Sequence, residues 1–150
     1  MTSRPLLLLL LLGITACPDG GSAVLTSSES ALDFGEVVLG EELTLSVSIL
    51  NAGGGTAQVQ QPRLEGSDAF ELVDRTWPVE LTGEGSIVLQ VTYRPGALGS
   101  DGGTLTVDAE GPVLVTGGGC AGSSEEVAAL DPITIDLVGN GVQASGTDAD

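Results

Sequence analysis

The chain reads as an all-β protein, a sandwich of about seven to nine short strands. Three observations predict this. In one long segment Leu43, Leu45, Val47 and Ile49 fall on one face and Thr44, Ser46 and Ser48 on the other. In a second, Ile87, Leu89, Val91 and Tyr93 oppose Val88, Gln90, Thr92 and Arg94. A period of two is what a strand buried on one side requires. Turn signals built on Gly, Pro, Asn and Asp recur roughly every eight to a dozen residues, the spacing of a sandwich. No segment of helical period follows Cys17.

The elements follow in chain order. Arg4 and the leucine run Leu6–Leu12 lead through Gly13-Ile14-Thr15-Ala16 into Cys17. The apolar run falls short of the roughly 20 residues a membrane-spanning helix needs. A positive start, a short apolar stretch and small residues describe a secretory signal peptide over residues 1–16. Pro18–Ser30 is small, polar and without periodicity, so residues 17–31 read as a flexible tether. Leu32, Phe34 and Val37 form a first strand interrupted by Gly35, and Gly40 marks the turn into Leu43–Leu50. Asn51-Ala52-Gly53-Gly54-Gly55 is a strong turn signal.

Thr56–Gln61 reads as a third strand ended by Pro62, and Ala69–Val73 as a short strand carrying Phe70 and Leu72. Trp77-Pro78 sits in a connection before Val79 and Leu81. Gly83-Glu84-Gly85 turns the chain into Ile87–Arg94, which Pro95 stops. Gly99–Gly103 reads as a turn and Thr104–Asp108 as a strand. Two segments compete for the last strand, Val113–Gly119 and Ile133–Gly141, and an extra hairpin in which both pair is the favoured arrangement. The folded unit therefore covers residues 32–119, or extends to 142, and residues 143–150 read as a disordered tail.

Composition bounds the function. The chain has 150 residues, 41% of them hydrophobic but only 3% aromatic, so Val, Leu and Ile must build the core. The formal net charge is −17, from 21 acidic residues against four arginines and no lysine. Such a chain repels phosphate backbones, which argues against nucleic acid as a partner. No histidine means no imidazole base, and no lysine excludes Ser–Lys and Schiff-base chemistry. The serines lack a nucleophile-elbow context, and Cys120 has no cationic neighbour to activate it. These absences predict a protein that is not an enzyme, with no catalytic residues, no metal site and no cofactor. Asp101-Gly102-Gly103 and Asp148-Ala149-Asp150 could touch calcium, yet neither has the spaced ligands of an EF-hand loop. Trp77 reads as a lid over the core, with a surface anchor as the alternative.

Two resemblances add to this reading. Ile14-Thr15-Ala16-Cys17, placed directly after the leucine run, resembles the bacterial lipobox. The resemblance implies cleavage before Cys17 and acylation of that residue, hence a membrane-anchored lipoprotein of the bacterial cell envelope. Several acyl chains hold where one does not. An ordinary signal peptide, with Cys17 free for a disulfide to Cys120, is the competing arrangement.

The second resemblance covers about residues 32–119. Leu32-Asp33-Phe34-Gly35, Val37, Gly40, Asn51, Gly53, Phe70, Gly83 and Val91-Thr92-Tyr93-Arg94-Pro95 are similar to the immunoglobulin-like module of choice-of-anchor D proteins and the related ASH, MSP and HYDIN domains. The family usually has Phe where this chain has Tyr93. The resemblance implies an immunoglobulin-like β-sandwich whose marked residues are structural. The expectation is a non-catalytic envelope lipoprotein in a structural or protein-interaction role, held to the membrane through Cys17 and facing another envelope protein. It would lie on the periplasmic or surface face, with the outer membrane as the expected site. The alternative is a ligand-binding surface lipoprotein that captures a glycan, a peptide or calcium.

Overall fold

The computed structural model describes residues 21–113 and 126–146. The strands are β1 (Leu25–Ser27), β2 (Ala31–Val38), β3 (Leu43–Asn51), β4 (Ala57–Val59), β5 (Arg63–Gly66), β6 (Phe70–Leu72), β7 (Val79–Leu81), β8 (Ser86–Tyr93), β9 (Gly99–Val107), β10 (Ala109–Val113), β11 (Glu126–Ala129) and β12 (Ile133–Val142). The architecture is the expected all-β sandwich.

The first sheet has the order β1-β3-β8-β6. Its centre is the antiparallel pair β3–β8, in register from Leu43↔Tyr93 to Leu50↔Ser86. These are the two alternating segments, and the alternation holds over their centres, whereas Leu43, expected inward, is exposed at the start of β3. Val47, Ile49, Leu89 and Val91 are buried, while Ser46, Val88 and Gln90 are exposed. Two ladders, β2-β12-β9-β5 and β11-β10-β4-β7, face this sheet. They are two ends of one bent sheet. Asp108 alone separates β9 from β10, and its carbonyl accepts a hydrogen bond from the Gln60 amide (2.9 Å) between β4 and β5. Leu105, Val107, Ile135 and Leu137 point from this second sheet into the shared core.

The chain enters through the first sheet and then changes sheets. β1 pairs antiparallel with β3, and β2 pairs parallel with β12. The crossing is held from both sides. The Ser28 amide donates to the Ser48 carbonyl (2.9 Å), the Ser48 amide donates to Ser28 Oγ (3.0 Å), and the Ser30 carbonyl accepts from the Asp136 amide (3.0 Å). β1 lies within the stretch whose composition suggests a tether. Three residues are too short to show a period, so its pairing is invisible locally.

Two further features differ from the sequence reading. Gly99–Gly103, expected as a turn, is the first half of β9. Gly103 serves packing: a Cβ there would stand 3.1 Å from the Phe70 ring and 2.9 Å from the Glu65 carbonyl oxygen. At the C-terminal end, β10 pairs with β11, and β12 pairs with both β9 and β2. The sandwich therefore runs to Val142, and the strand beginning at Ile133 closes it. Residues 114–119 of the competing segment lie outside the described residues.

Polar groups inside the core are matched. Asn51 is fully buried. Its Oδ1 accepts from the amides of Val24 and Gly53, both at 3.1 Å, and its Nδ2 donates to the carbonyls of Gly55 (2.6 Å) and Leu81 (2.9 Å). One side chain thus ties the chain's entry, the turn after β3 and the end of β7. Tyr93 stacks on Phe70 at 4.9 Å and meets Phe34 at 5.5 Å between ring centroids. Its hydroxyl donates to Asp101 Oδ2 (2.7 Å), and Ser67 Oγ donates to Asp101 Oδ1 (2.7 Å).

Burial, then the hydrogen bond to Asp101, push the Tyr93 phenol from 10.0 up to about 12. Below pH 10 the phenol is protonated in folded and unfolded chains alike, and its contribution is whole. Between about 10 and 12 the unfolded chain releases the proton and the folded chain keeps it, so stability falls as pH rises. Thermal melts across this range should show a loss that Tyr93→Phe removes. A wild-type melting curve that falls no more steeply above pH 10 than the Tyr93→Phe curve would contradict the assignment.

Candidate interaction surface

The outward rows of the first sheet follow from strand pairing. Glu71, Thr92 and Thr44 form one row, with Thr44 and Thr92 sharing a hydrogen bond between hydroxyls (2.8 Å). Val73, Gln90 and Ser46 form the next, since the Val73 amide donates to the Gln90 carbonyl (2.9 Å). Val88 and Ser48 follow, then Ser86, Leu50 and Thr26. Glu71 alone among these is charged, and Arg94, ion-paired with Glu42, lies near it. Hydrogen bonding to Glu42 raises the Arg94 pKa further above its ordinary value. Past β6 the chain leaves β8, and the Arg75 guanidinium donates to the Val88 carbonyl (3.3 Å) in the place a longer β6 would occupy.

The outward rows of the second sheet are different. One runs Ala31, Asp136, Thr104, Glu65, and another Ala129, Glu110, Gln58, Glu80. Asp33 is exposed on β2, and Arg63 is ion-paired with Asp108 at 2.9 Å. The sandwich therefore has one acidic face and one face of Ser, Thr, Gln and a few apolar side chains. Val88, Val73 and Leu50 supply the apolar part, at 51%, 44% and 39% exposure.

Among the described residues the edge strands are short or bulged. β1, β6 and β7 have three residues each, and β5 and β11 four. β2 is longer, but Gly35, at φ 61°, makes a bulge that shifts its register against β12 between Val138 and Asn140. Asp33 Oδ1 holds the bulge by accepting from the Gly35 amide (2.8 Å). Short strands, a bulge and exposed carboxylates are how edges avoid pairing with other chains. β1 covers only the Ile49–Asn51 end of β3, so Leu43–Val47 keep one side without a ladder partner among the described residues, and the outer face of the first sheet is the broader surface a partner can cover.

No cluster of three metal-ligating side chains exists among the described residues. The Asp101 carboxylate, a calcium candidate, is taken by the hydroxyls of Ser67 and Tyr93. Trp77 is half-buried and packs against the core, as the lid reading expects. A hollow of about 210 Å³ beside it is lined by Val73, Asp74, Arg75, Trp77, Val88, Leu89 and Gln90. That is smaller than the usual small-molecule site of about 300–1,000 Å³. Cys17, Cys120 and Asp148–Asp150 lie outside the described residues. The polarity of the two faces escapes sequence reasoning, because it depends on which strands share a sheet.

No family model matches the chain, and no curated protein matches it. Solved structures do. The ASH/PapD-like domain of human CEP192 (PapD-like domain 7) superposes with a TM-score of 0.54, covering 95% of this chain and 100% of that one at 14% identity. SSP-19, an MSP-domain protein-like family member of Caenorhabditis elegans, gives 0.51 over 77% of this chain and 98% of that one at 16% identity. The Salmonella enterica SafA pilin in complex with the SafB chaperone gives 0.52, covering 82% of this chain and 57% of the matched one at 12% identity. At these identities the likeness establishes the fold, an immunoglobulin-like sandwich of the ASH, PapD and MSP type.

Proposed function

We propose that the chain is a non-catalytic interaction module of the bacterial cell envelope, tethered by lipid on Cys17, of the kind found in choice-of-anchor D proteins. Its binding surface is the outer face of the first sheet. The observation that carries the reading is the division of charge. A chain of net charge −17 carries within the outward rows of one broad sheet face a single carboxylate, Glu71, with Glu42 paired to Arg94 and Asp74 beside Arg75 at its rim, while its edge strands are short or bulged. Use of the same fold in a chaperone complexed with a pilin supports a protein as the partner. The leucine run leading into Ile14-Thr15-Ala16-Cys17 supports the anchor.

The anchor has a direct test. Cys17→Ser should abolish incorporation of a labelled fatty acid and leave the leader uncleaved by lipoprotein processing. A variant that still takes up the label would sink the anchor. For the surface, a photo-crosslinker at Ser48 should capture an envelope protein, whereas one at Thr134 on the opposite sheet should not. Equal capture from both positions would contradict the assignment of the face.

A further inference from the structure

We infer that the outer face of the first sheet docks a second copy of this chain, face to face about a two-fold axis. The inference rests on the reading of this face as the binding surface and names its occupant. Electrostatics select it. Two chains of net charge −17 repel at every surface that carries the carboxylates. The rows built on Thr44, Ser46, Ser48 and Gln90 let two copies approach without stacking like charges.

The face is also self-complementary. Along its β6 side stand Glu71, Val73 and Arg75: negative, apolar, positive. Glu71 is level with Thr92 and Val73 with Gln90, and the Arg75 guanidinium reaches the level of Val88 through its bond to that carbonyl. A two-fold axis lying in the plane of the face, and crossing it along the Val73–Gln90–Ser46 row, reverses the strand direction. It lays Glu71 over Arg75 of the second copy, Arg75 over Glu71, and Val73 over itself. Serine and threonine hydroxyls both donate and accept, so their rows can pair with their own image. Such a contact is isologous and closes at two copies.

Area sets the strength. Two central strands of nine and eight residues and two edge strands of three, about 4.8 Å apart and about 3.4 Å per residue, give a plane of roughly 400 Å² per copy. That is below the about 800 Å² per partner of a standard stable interface, so the dimer is weak, in the range of transient contacts. Screening strengthens it, because repulsion between the two acidic bodies dominates at long range.

Sedimentation velocity of the full chain in density-matched non-ionic detergent, with added salt as the variable, tests this. The dimer fraction should rise with protein concentration, and rise further between about 0.02 and 0.5 M salt as the Debye length shrinks. Ser46→Glu places a charge on the axis and should abolish the dimer, whereas Thr134→Glu on the other sheet should not. Glu71→Arg and Arg75→Glu should each weaken association by roughly three- to tenfold, since each change is felt twice. The double variant should restore it. A monomer at all salt concentrations overturns the inference, as does a dimer untouched by Ser46→Glu, or a charge swap that fails to rescue. Crosslinking of the Ser48 position to a different envelope protein, with no self-association, would overturn the second copy and leave the face as a binding surface. Cys17→Ser protein in the same detergent that still dimerises would separate failure of the anchor from failure of the dimer.

Discussion

Val47→Asp or Val91→Asp should unfold the domain, while Ser46→Asp should leave it folded and Thr92→Asp should weaken it only moderately. Val47 and Val91 are 1% and 0% exposed at the centre of the β3–β8 pair. Losing a buried valine costs about 1.5–3 kcal/mol, and an unpaired carboxylate in its place adds a larger desolvation penalty. A domain of this size has about 5–15 kcal/mol in all. Ser46 and Thr92 are one residue away and point outward. Thr92→Asp breaks the hydrogen bond to Thr44 and faces Glu71 across the strands, which accounts for its intermediate cost. Thermal melts of the four variants test register, because a one-residue slip would exchange the two faces. Similar melting temperatures for all four would contradict the pairing.

Asn51→Leu should be the most damaging uncharged substitution. Leucine keeps much of the volume and removes both the acceptor and the donors. It orphans the amides of Val24 and Gly53 and the carbonyls of Gly55 and Leu81. A buried group left unpaired costs about 1–3 kcal/mol, and water reaching the partly exposed amides relieves some of the sum. The expected loss is about 3–6 kcal/mol by urea unfolding. Asn51→Asp should also destabilise strongly, because a carboxylate oxygen would replace the amide that donates to two carbonyls. A loss under about 1 kcal/mol for Asn51→Leu would mean that these bonds do not hold the turn to its neighbours.

The two central strands were legible because each is buried on one side only, so Leu43–Ile49 and Ile87–Tyr93 carry the alternation openly. Ile133, Ile135 and Leu137 showed the same period, and that strand closes the sandwich. β1 was hidden because three residues carry no period. The glycines of β9 looked like a turn because the Phe70 ring that packs against Gly103 lies elsewhere in the sequence. Asn51 was visible as a turn residue, but its bond to Leu81, 30 residues on, is a property of the fold. The outward Ser46 and Ser48 could be read from alternation. That Glu65 and Asp136 join Thr104 on the opposite face could not, since it requires the pairing of β5, β9 and β12.

The most direct test of the first-sheet face as the binding surface is hydroxyl-radical footprinting of the protein in its native membranes, with the Ser46→Glu variant as reference. Val88, Val73 and Leu50 report on that face. Val138 and Val127, at 50% and 69% exposure, report on the other sheet. The first three should label several-fold more slowly in the wild-type protein than in the variant, with Val138 and Val127 unchanged. Protection of Val138 and Val127, with Val88, Val73 and Leu50 labelled as fast as in the variant, would place the binding surface on the acidic face and contradict the account.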